Sequence, residues 1–471
     1  MANPFLPFWE YVPDGEPHVF GNRVYLYGSH DRFNGHSFCL ENYVCWSAPA
    51  DDLSDWHREG VIYGRRDDPR NADGDQCLYA PDVTRGADGR YYLYYVLDDS
   101  PFVSVAVCDA PAGRYQFYGH VHYPDGVLLG TREGDEPQFD PGVLFENGNV
   151  YLYGGFCPTG MPDRHGPMVT VLEPDMVTVK EPPRCIAPSQ SYSQGSGYEG
   201  HEYFEAASIR KVGSLYYFIY SSILHHELCY VVSDSPTEGF RFRGTIVSNV
   251  DAGIGGYKDA DRLMAFPGNN RGSIENIGGA WYVFYHRNTN ANAFSRQACM
   301  EPIRILPDGT IPQVEITSWG PDAAPLRGNG TYPAHMACHL YCEAGTPPEL
   351  NVPGKRMDAR SPYLTQDSAG GAENPQYVAN LDPGAAAGFK DFDCRHTALT
   401  AVMTRGWSYF GEIEVLTEPD GEPLGSIPVK KSNEWKTWSG EVPIPDGVHS
   451  IYLRYKGFGC VSIRDFTLGG S

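Results

Sequence analysis

The chain has 471 residues, with 36 Lys+Arg against 59 Asp+Glu and a formal net charge of −23, a balance that excludes nucleic acid and an anionic membrane surface as natural partners. No run of about 18 apolar residues occurs, so no membrane-spanning helix is expected. Aromatics make up 13% of the residues, alongside 53 Gly and 38 Pro, and short alternating runs between turn residues indicate an all-β protein with a neutral or weakly charged ligand.

The first residues, MANPFLPFWEYVPDG, lack the basic stretch and apolar core of a secretory signal, and a cytoplasmic location is expected. A motif then recurs five times: VFGNRVYLYG (19–28), ADGRYYLYY (87–95), ENGNVYLYGG (146–155), KVGSLYYFIY (211–220) and IGGAWYVFYH (277–286). Each copy is a turn followed by an aromatic strand. The aligned Tyr25, Tyr92, Tyr151, Tyr217 and Tyr282 are 67, 59, 66 and 65 residues apart. This period predicts a five-bladed β-propeller over residues 1–318, with four strands to a blade. Most of the tyrosines are expected to pack between blades. The Trp-Asp and kelch signatures of interaction propellers are absent. Residues 319–333, rich in Pro and Gly, are expected to be a linker. Beyond them GEIEVLTE (411–418), EWKTWSGEVPI (434–444), HSIYLRYKG (449–457) and CVSIRDFTL (460–468) predict a β-sandwich of jelly-roll type over residues 334–471. The 12 cysteines are scattered without a CxxC pair, which predicts reduced, mostly buried thiols.

Carboxylates precede the aromatic strands in register: Asp14 in VPDGEPHVF, Asp82 in YAPDVTR, Asp140 in FDPGVLF and Glu205 in FEAASIRK. Blade five places His286 after its strand instead. Equivalent positions of successive blades converge on a propeller's axis, so these acids are expected to share one pocket. Like charges raise one another's pKa, which makes such a cluster costly unless it works. Glycoside hydrolysis needs this set, one carboxylate as base and one carboxylic acid as proton donor. A cation cage is the rival use of an acid ring.

In this order and spacing, NPFLP, PDGEPHVFGNRVYLYGS, YAPDV, FDPGVLFENGNVYLYGG, FEAASIRKVGSLYYFIYSS, WYVFYHR and RQACMEPIRILPDG resemble glycoside hydrolase family 43 over roughly residues 3–318. The resemblance implies an exo-acting, inverting hydrolase that releases a terminal furanose or pentose from short glycans. An α-L-arabinofuranoside is the first expectation, with β-D-xylosides and β-D-galactofuranosides as alternatives. It implies Asp14 as general base, Asp140 as modulator of the acid's pKa and Glu205 as general acid. Asp82, His286 and Arg296 would bind substrate, with Phe33, Trp46 and Phe156 as further walls of the sugar subsites. No cofactor is required; a structural calcium at the propeller centre would take His286 as a ligand. The sequence departs from the family pattern where Gly15 follows Asp14, where Tyr79 stands for a Trp, and where Ala206 and Ala207 follow Glu205. Glu199 and Glu202 are rivals for the acid, and Asp135 and Glu136 for Asp140. The marks of the related retaining propellers are missing. The C-terminal stretch resembles a family 6 carbohydrate-binding module, with Trp435 and Trp438 expected in its core or interface and Ser462 near the place of a binding Asn. A non-catalytic carbohydrate-binding propeller is the alternative reading.

Overall fold

A computed structural model describes residues 2–254, 263–322, 324–342 and 361–470. Five antiparallel sheets follow one another along the chain, four of four strands and a fifth of three. The first strand of each sheet is innermost: Glu16–Phe20, Leu78–Arg85, Gly142–Glu146, Tyr203–Val212 and Ile274–Ile277. Each turns back into an aromatic strand: Arg23–Tyr27, Tyr91–Leu97, Asn149–Gly154, Leu215–Ser222 and Ala280–Asn288. Two of these hairpins have both central residues at positive φ, Asn147–Gly148 at 51° and 78° and Gly278–Gly279 at 61° and 91°. Asn and Gly tolerate this conformation, and its twist matches that of the flanking strands.

Alternating residues of each aromatic strand feed the two neighbouring blades. Five separate apolar cores therefore lie between successive blades. One joins Tyr27 and Tyr43 of blade one to Leu93 of blade two, and the last joins Ile277 and Phe284 of blade five to Val24 and Leu26 of blade one. The ring is closed polarly as well. The Asn3 amide donates to Met300 O at 3.0 Å and to Glu301 Oε1 at 2.8 Å, and the Met300 N–H donates to Asn3 Oδ1. The N-terminal segment is thereby fixed to the last strand of blade five, Arg296–Ile303.

The C-terminal domain is a ten-stranded sheet system around its own core. Two strands, Thr397–Leu416 and Gly447–Gly470, are long enough to run through it. Their pairing shifts register between Ser408 and Gly411, where Gly457 and Gly459 have positive φ. A side chain at Gly459 would meet the Trp407 carbonyl at 1.7 Å. The stretch expected as a linker carries two short strands of this domain, Leu326–Arg327 and Gly330–Pro333. Trp435 and Trp438 are half-buried on an outer strand, with Arg405 and Lys436 over their rings. The exposed rings of this domain are instead Trp407, Tyr409, Phe410 and Phe458. None of the 12 cysteines is in a disulfide, and no helix among the described residues is long and apolar enough to cross a membrane.

Candidate active site

Asp14, Asp140 and Glu205, from three different blades, line one pocket of about 340 Å³ at the propeller axis. Local backbone strain aims them. Asp14 and Asp140 have φ of 59° and 48°, and Ala206, next to Glu205, has 71°. Non-glycine residues hold such angles only when the surroundings impose them, which is common at functional sites. The pairing of Tyr203–Val212 with its neighbour is irregular on both sides of Glu205, a bulge that turns this side chain out of the ladder.

Each carboxyl has a distinct electrostatic setting. Burial pushes Asp14 up, but the charges of Arg296 and Arg271 outweigh it and hold the group below the usual range. The Arg296 Nη1 lies 3.1 Å from Asp14 Oδ1. Burial lifts Asp140 to about 6, Arg271 opposing and the Asp14 charge adding to the rise; its Oδ2 accepts the Ala206 N–H at 3.1 Å. Glu205 is pushed furthest, well above the carboxylate range, by its enclosure and then by the charges of Asp140 and Asp14. One pocket thus presents an ionised carboxylate and a protonated carboxylic acid together, the pairing needed for acid–base chemistry.

The walls are aromatic. Tyr79, Phe139, Phe156, Phe204 and His225 form a continuous row, with successive centroids 5.7, 5.1, 5.4 and 4.3 Å apart. Phe38 closes the other side, edge-on to Phe294 and under the Arg296 guanidinium. Arg296 is fixed by Asp31, which accepts from its Nε, Nη2 and backbone N–H at 2.9, 3.0 and 3.1 Å.

Of the expected binding residues, Arg296 and Phe156 line the pocket. Asp82 does not: it is buried below, accepting from His18 Nε2 at 2.6 Å and from the Val143 N–H at 2.7 Å, and so ties blade two to blade three. Trp46 is no sugar wall either. It sits in the core between blades five and one, its indole N–H donating to Glu10. Phe33 is half-buried beside Tyr11, off the pocket lining. The rival acids have other partners: Glu199 accepts from the Gly195 and Gly197 amides, Glu202 from Ser193, Asp135 from Tyr123 and Glu136 from His165.

His286 supports the site from beneath. Its Nδ1 accepts the Asp14 N–H at 3.2 Å, so the proton is on Nε2, which donates to Asn269 O at 2.7 Å. Burial lowers its pKa to about 4, and the ring is neutral. Neither nitrogen retains a lone pair for a metal, and calcium prefers six to eight oxygen ligands. The residues around His286 do not fit a calcium held by this ring. Among the described residues the compact His/Cys/Asp/Glu groups are Glu16–His18–Asp82 and His201–Glu227–Cys229, neither of which includes it.

Sequence reading missed Asp31, Phe38, Glu16 and Arg271. The first two lie on the loop between the second and third strands of blade one, outside the repeat. Glu16 opens the innermost strand of blade one, two residues past Asp14, which lies in the bend before it.

The profile of glycosyl hydrolases family 43 matches residues 2–311. A xylosidase/arabinosidase of Thermoclostridium stercorarium is 59% identical over 467 residues, covering 99% of this chain and 98% of the relative. A xylosidase/arabinosidase of Bacteroides ovatus is 26% identical, covering 59% of this chain and 86% of that protein. Among solved structures, a family 43 arabinoxylan arabinofuranohydrolase from Bacillus subtilis superposes with a TM-score of 0.51 at 21% identity, covering 100% of this chain and 97% of the other, a likeness of fold. The chain is a glycosidase and belongs to glycosyl hydrolases family 43.

Proposed function

We propose that this glycosidase is exo-acting and inverting, and that it releases a terminal pentose or furanose, with α-L-arabinofuranosides as the first substrates and β-D-xylosides next. β-D-Galactofuranosides are the third expectation. The single observation that carries the reading is the convergence of Asp14, Asp140 and Glu205 in one pocket with carboxyl groups driven apart in pKa. Ionised Asp14 takes the proton of the attacking water. Protonated Glu205 gives its proton to the leaving oxygen. Asp140 keeps Glu205 protonated by its charge and is oriented by the Ala206 N–H. Arg296 faces the sugar hydroxyls from a guanidinium locked by Asp31. At about 340 Å³ the pocket is near the small end of ligand sites, about 300–1,000 Å³, which suits one terminal sugar. The Thermoclostridium relative, named for both xyloside and arabinoside cleavage, supports the first two substrate classes.

The test is a panel of p-nitrophenyl α-L-arabinofuranoside, β-D-xyloside and β-D-galactofuranoside, with the anomer of the first-formed product read by proton NMR. Turnover of one of these with inversion is expected. Loss of general acid catalysis costs about 10²–10⁴-fold, so Glu205→Gln should be slow on unactivated oligosaccharides and less impaired on aryl glycosides with good leaving groups. Wild-type rates for Glu205→Gln on both classes would refute the acid assignment. A silent wild type across the panel would favour a binding propeller.

A further inference from the structure

Arg271 is fully enclosed at the bottom of the pocket, 2% exposed, on the segment leading into the innermost strand of blade five. One of its nitrogens, Nη2, donates to Pro141 O at 3.0 Å and to Ala207 O at 3.4 Å. Those carbonyls belong to the residue after Asp140 and to the second residue after Glu205. The other terminal nitrogen, Nη1, stands 3.7 Å from Asp140 Oδ1, and Nη2 stands 3.9 Å from Glu16 Oε1. The backbones run close together, where a Cβ at Gly142 would meet Ala207 O at 2.8 Å, and the Ala206 N–H to Asp140 Oδ2 bond is the other link between them.

We infer that Arg271 is a positioning residue of this glycosidase, a fixed axial cation that clamps the two backbone segments carrying Asp140 and Glu205 and sets their separation. The inference rests on the roles proposed above for those two acids. The geometry explains how so many acids share one axis. Asp14, Glu16, Asp82, Asp140 and Glu205 surround the guanidinium; the other basic side chains near this group of acids include Arg296, Arg210, His18 and His286, and Cys39, Tyr43, Tyr203 and His225 are further titratable neighbours. Arg210 is bound to Glu16 and Glu275, Arg296 to Asp31 and Asp14, and His286 is neutral. Arg271 alone reaches both Asp140 and Glu16. It supplies from within the chain the positive charge that His286 is not arranged to recruit as a metal. Both carbonyls accept from Nη2 while Nη1 faces Asp140, an arrangement of two nitrogens that the single, shorter-reaching ammonium of a lysine does not reproduce.

The experiment compares Arg271→Lys and Arg271→Met with wild type in kcat, KM and pH profile on the best aryl glycoside, with and without EDTA. Arg271→Lys retains the charge and loses the clamp. Its kcat should fall about 100-fold, the scale of an ångström-sized misplacement, with the limbs of the pH profile unmoved. Arg271→Met also loses a cation that lowers Asp14, Asp140 and Glu205, so both limbs should move to higher pH by about one unit. EDTA should leave the wild type unchanged. If Arg271→Met does not fold, Arg271→Lys decides alone. Retention of kcat within about threefold by Arg271→Lys, or loss of wild-type activity in EDTA restored by calcium, overturns the inference. The Glu205→Gln measurement keeps the two readings apart. A defective Glu205→Gln beside fully active Arg271 variants sinks only the clamp, whereas an active Glu205→Gln sinks the acid assignment.

Discussion

At the level of single residues, the catalytic proposal turns on Asp140, whose charge is one reason Glu205 holds its proton. Glu205 is raised by enclosure, then by Asp140 and Asp14. Asp140→Asn removes one of the two raising charges, so Glu205 should ionise at lower pH. The alkaline limb of kcat/KM should move down while the acid limb, set by Asp14, moves little or slightly downward. A nearby charge is worth about 1–3 pKa units, and a shift of that order is expected in a pH–rate profile. An alkaline limb that stays in place, or rises, would remove Asp140 from its modulating role. The three acids were legible in the sequence because each occupies the same place in a repeat, and a repeat converts sequence register into spatial convergence. Arg271, Asp31 and Phe38 were missed. Asp31 and Phe38 approach from a loop with no counterpart in the other blades, whereas Arg271 stands 11 residues before Tyr282, as Asp14 does before Tyr25 and Asp140 before Tyr151, and was passed over because only acids were sought at that place; the fold brings it to the carbonyls of Pro141 and Ala207. Trp46 misled for the opposite reason: a large aromatic near a loop has no sequence mark that separates wall from core.

At the level of the strand and the blade, the aromatic repeat was readable because hairpin turns and period-two packing are both local. What the repeat does not specify is the polar interior of an individual blade, and blade four carries a charged one. Glu227, at the start of the strand Glu227–Ser233, accepts from His201 at 2.6 Å, Ser222 at 2.6 Å, Thr245 at 2.9 Å and the Cys229 thiol at 3.3 Å. Burial opposes its ionisation, but His201 and the hydroxyls prevail and bring its pKa to about 2. His201 is raised chiefly by its hydrogen bond to Glu227. The stability that Glu227 contributes is present above its unfolded pKa, about 4.3, and is lost as pH falls towards about 2. The share from His201 is present below about 6.5 and fades as pH rises past its folded value. Both are complete only between about pH 4.5 and 6.5. Glu227→Gln should therefore destabilise the protein most in that window, by about 1.5–3 kcal/mol, the worth of charged hydrogen bonds. Denaturant midpoints measured from pH 3 to 8 should show the gap between mutant and wild type closing towards acid. A gap independent of pH would place the pair among hydrogen bonds of no electrostatic consequence.

At the level of the whole molecule, the C-terminal domain is joined to the propeller through buried polar contacts, and these reach the pocket rim. The Asn290 N–H donates to Leu364 O at 2.6 Å and the Thr365 hydroxyl to Asn290 Oδ1 at 2.8 Å. Asn290 lies on the loop that presents Phe294 to Phe38. Arg287, from the aromatic strand of blade five, donates to His335 O and Ala337 O. Deeper in, Lys390 of the C-terminal strand Ala386–Cys394 places Nζ 2.6 Å from Asp251 and 3.1 Å from Glu315, both propeller-side acids, and His339 Nε2 lies 2.9 Å from the same Asp251 oxygen. Lys390 and Asp251 are 1% and 0% exposed as side chains, so neither charge has water to fall back on. None of this was legible in the sequence, where these residues sit in unrelated surroundings some 140 positions apart and the intervening Pro/Gly-rich stretch suggests independent units. Removing one partner of a buried pair costs about 3–5 kcal/mol, because the other charge is left enclosed. Lys390→Met keeps the volume and removes the charge. Against the single transition expected of the wild type, it should split thermal unfolding into two calorimetric transitions as the domains part. It should also raise KM for the best aryl glycoside, since the loop bearing Phe294 loses its backing. One transition at the wild-type midpoint, within about a degree, with unchanged KM, would show that the two domains are coupled through other contacts and that the rim stands without the C-terminal domain.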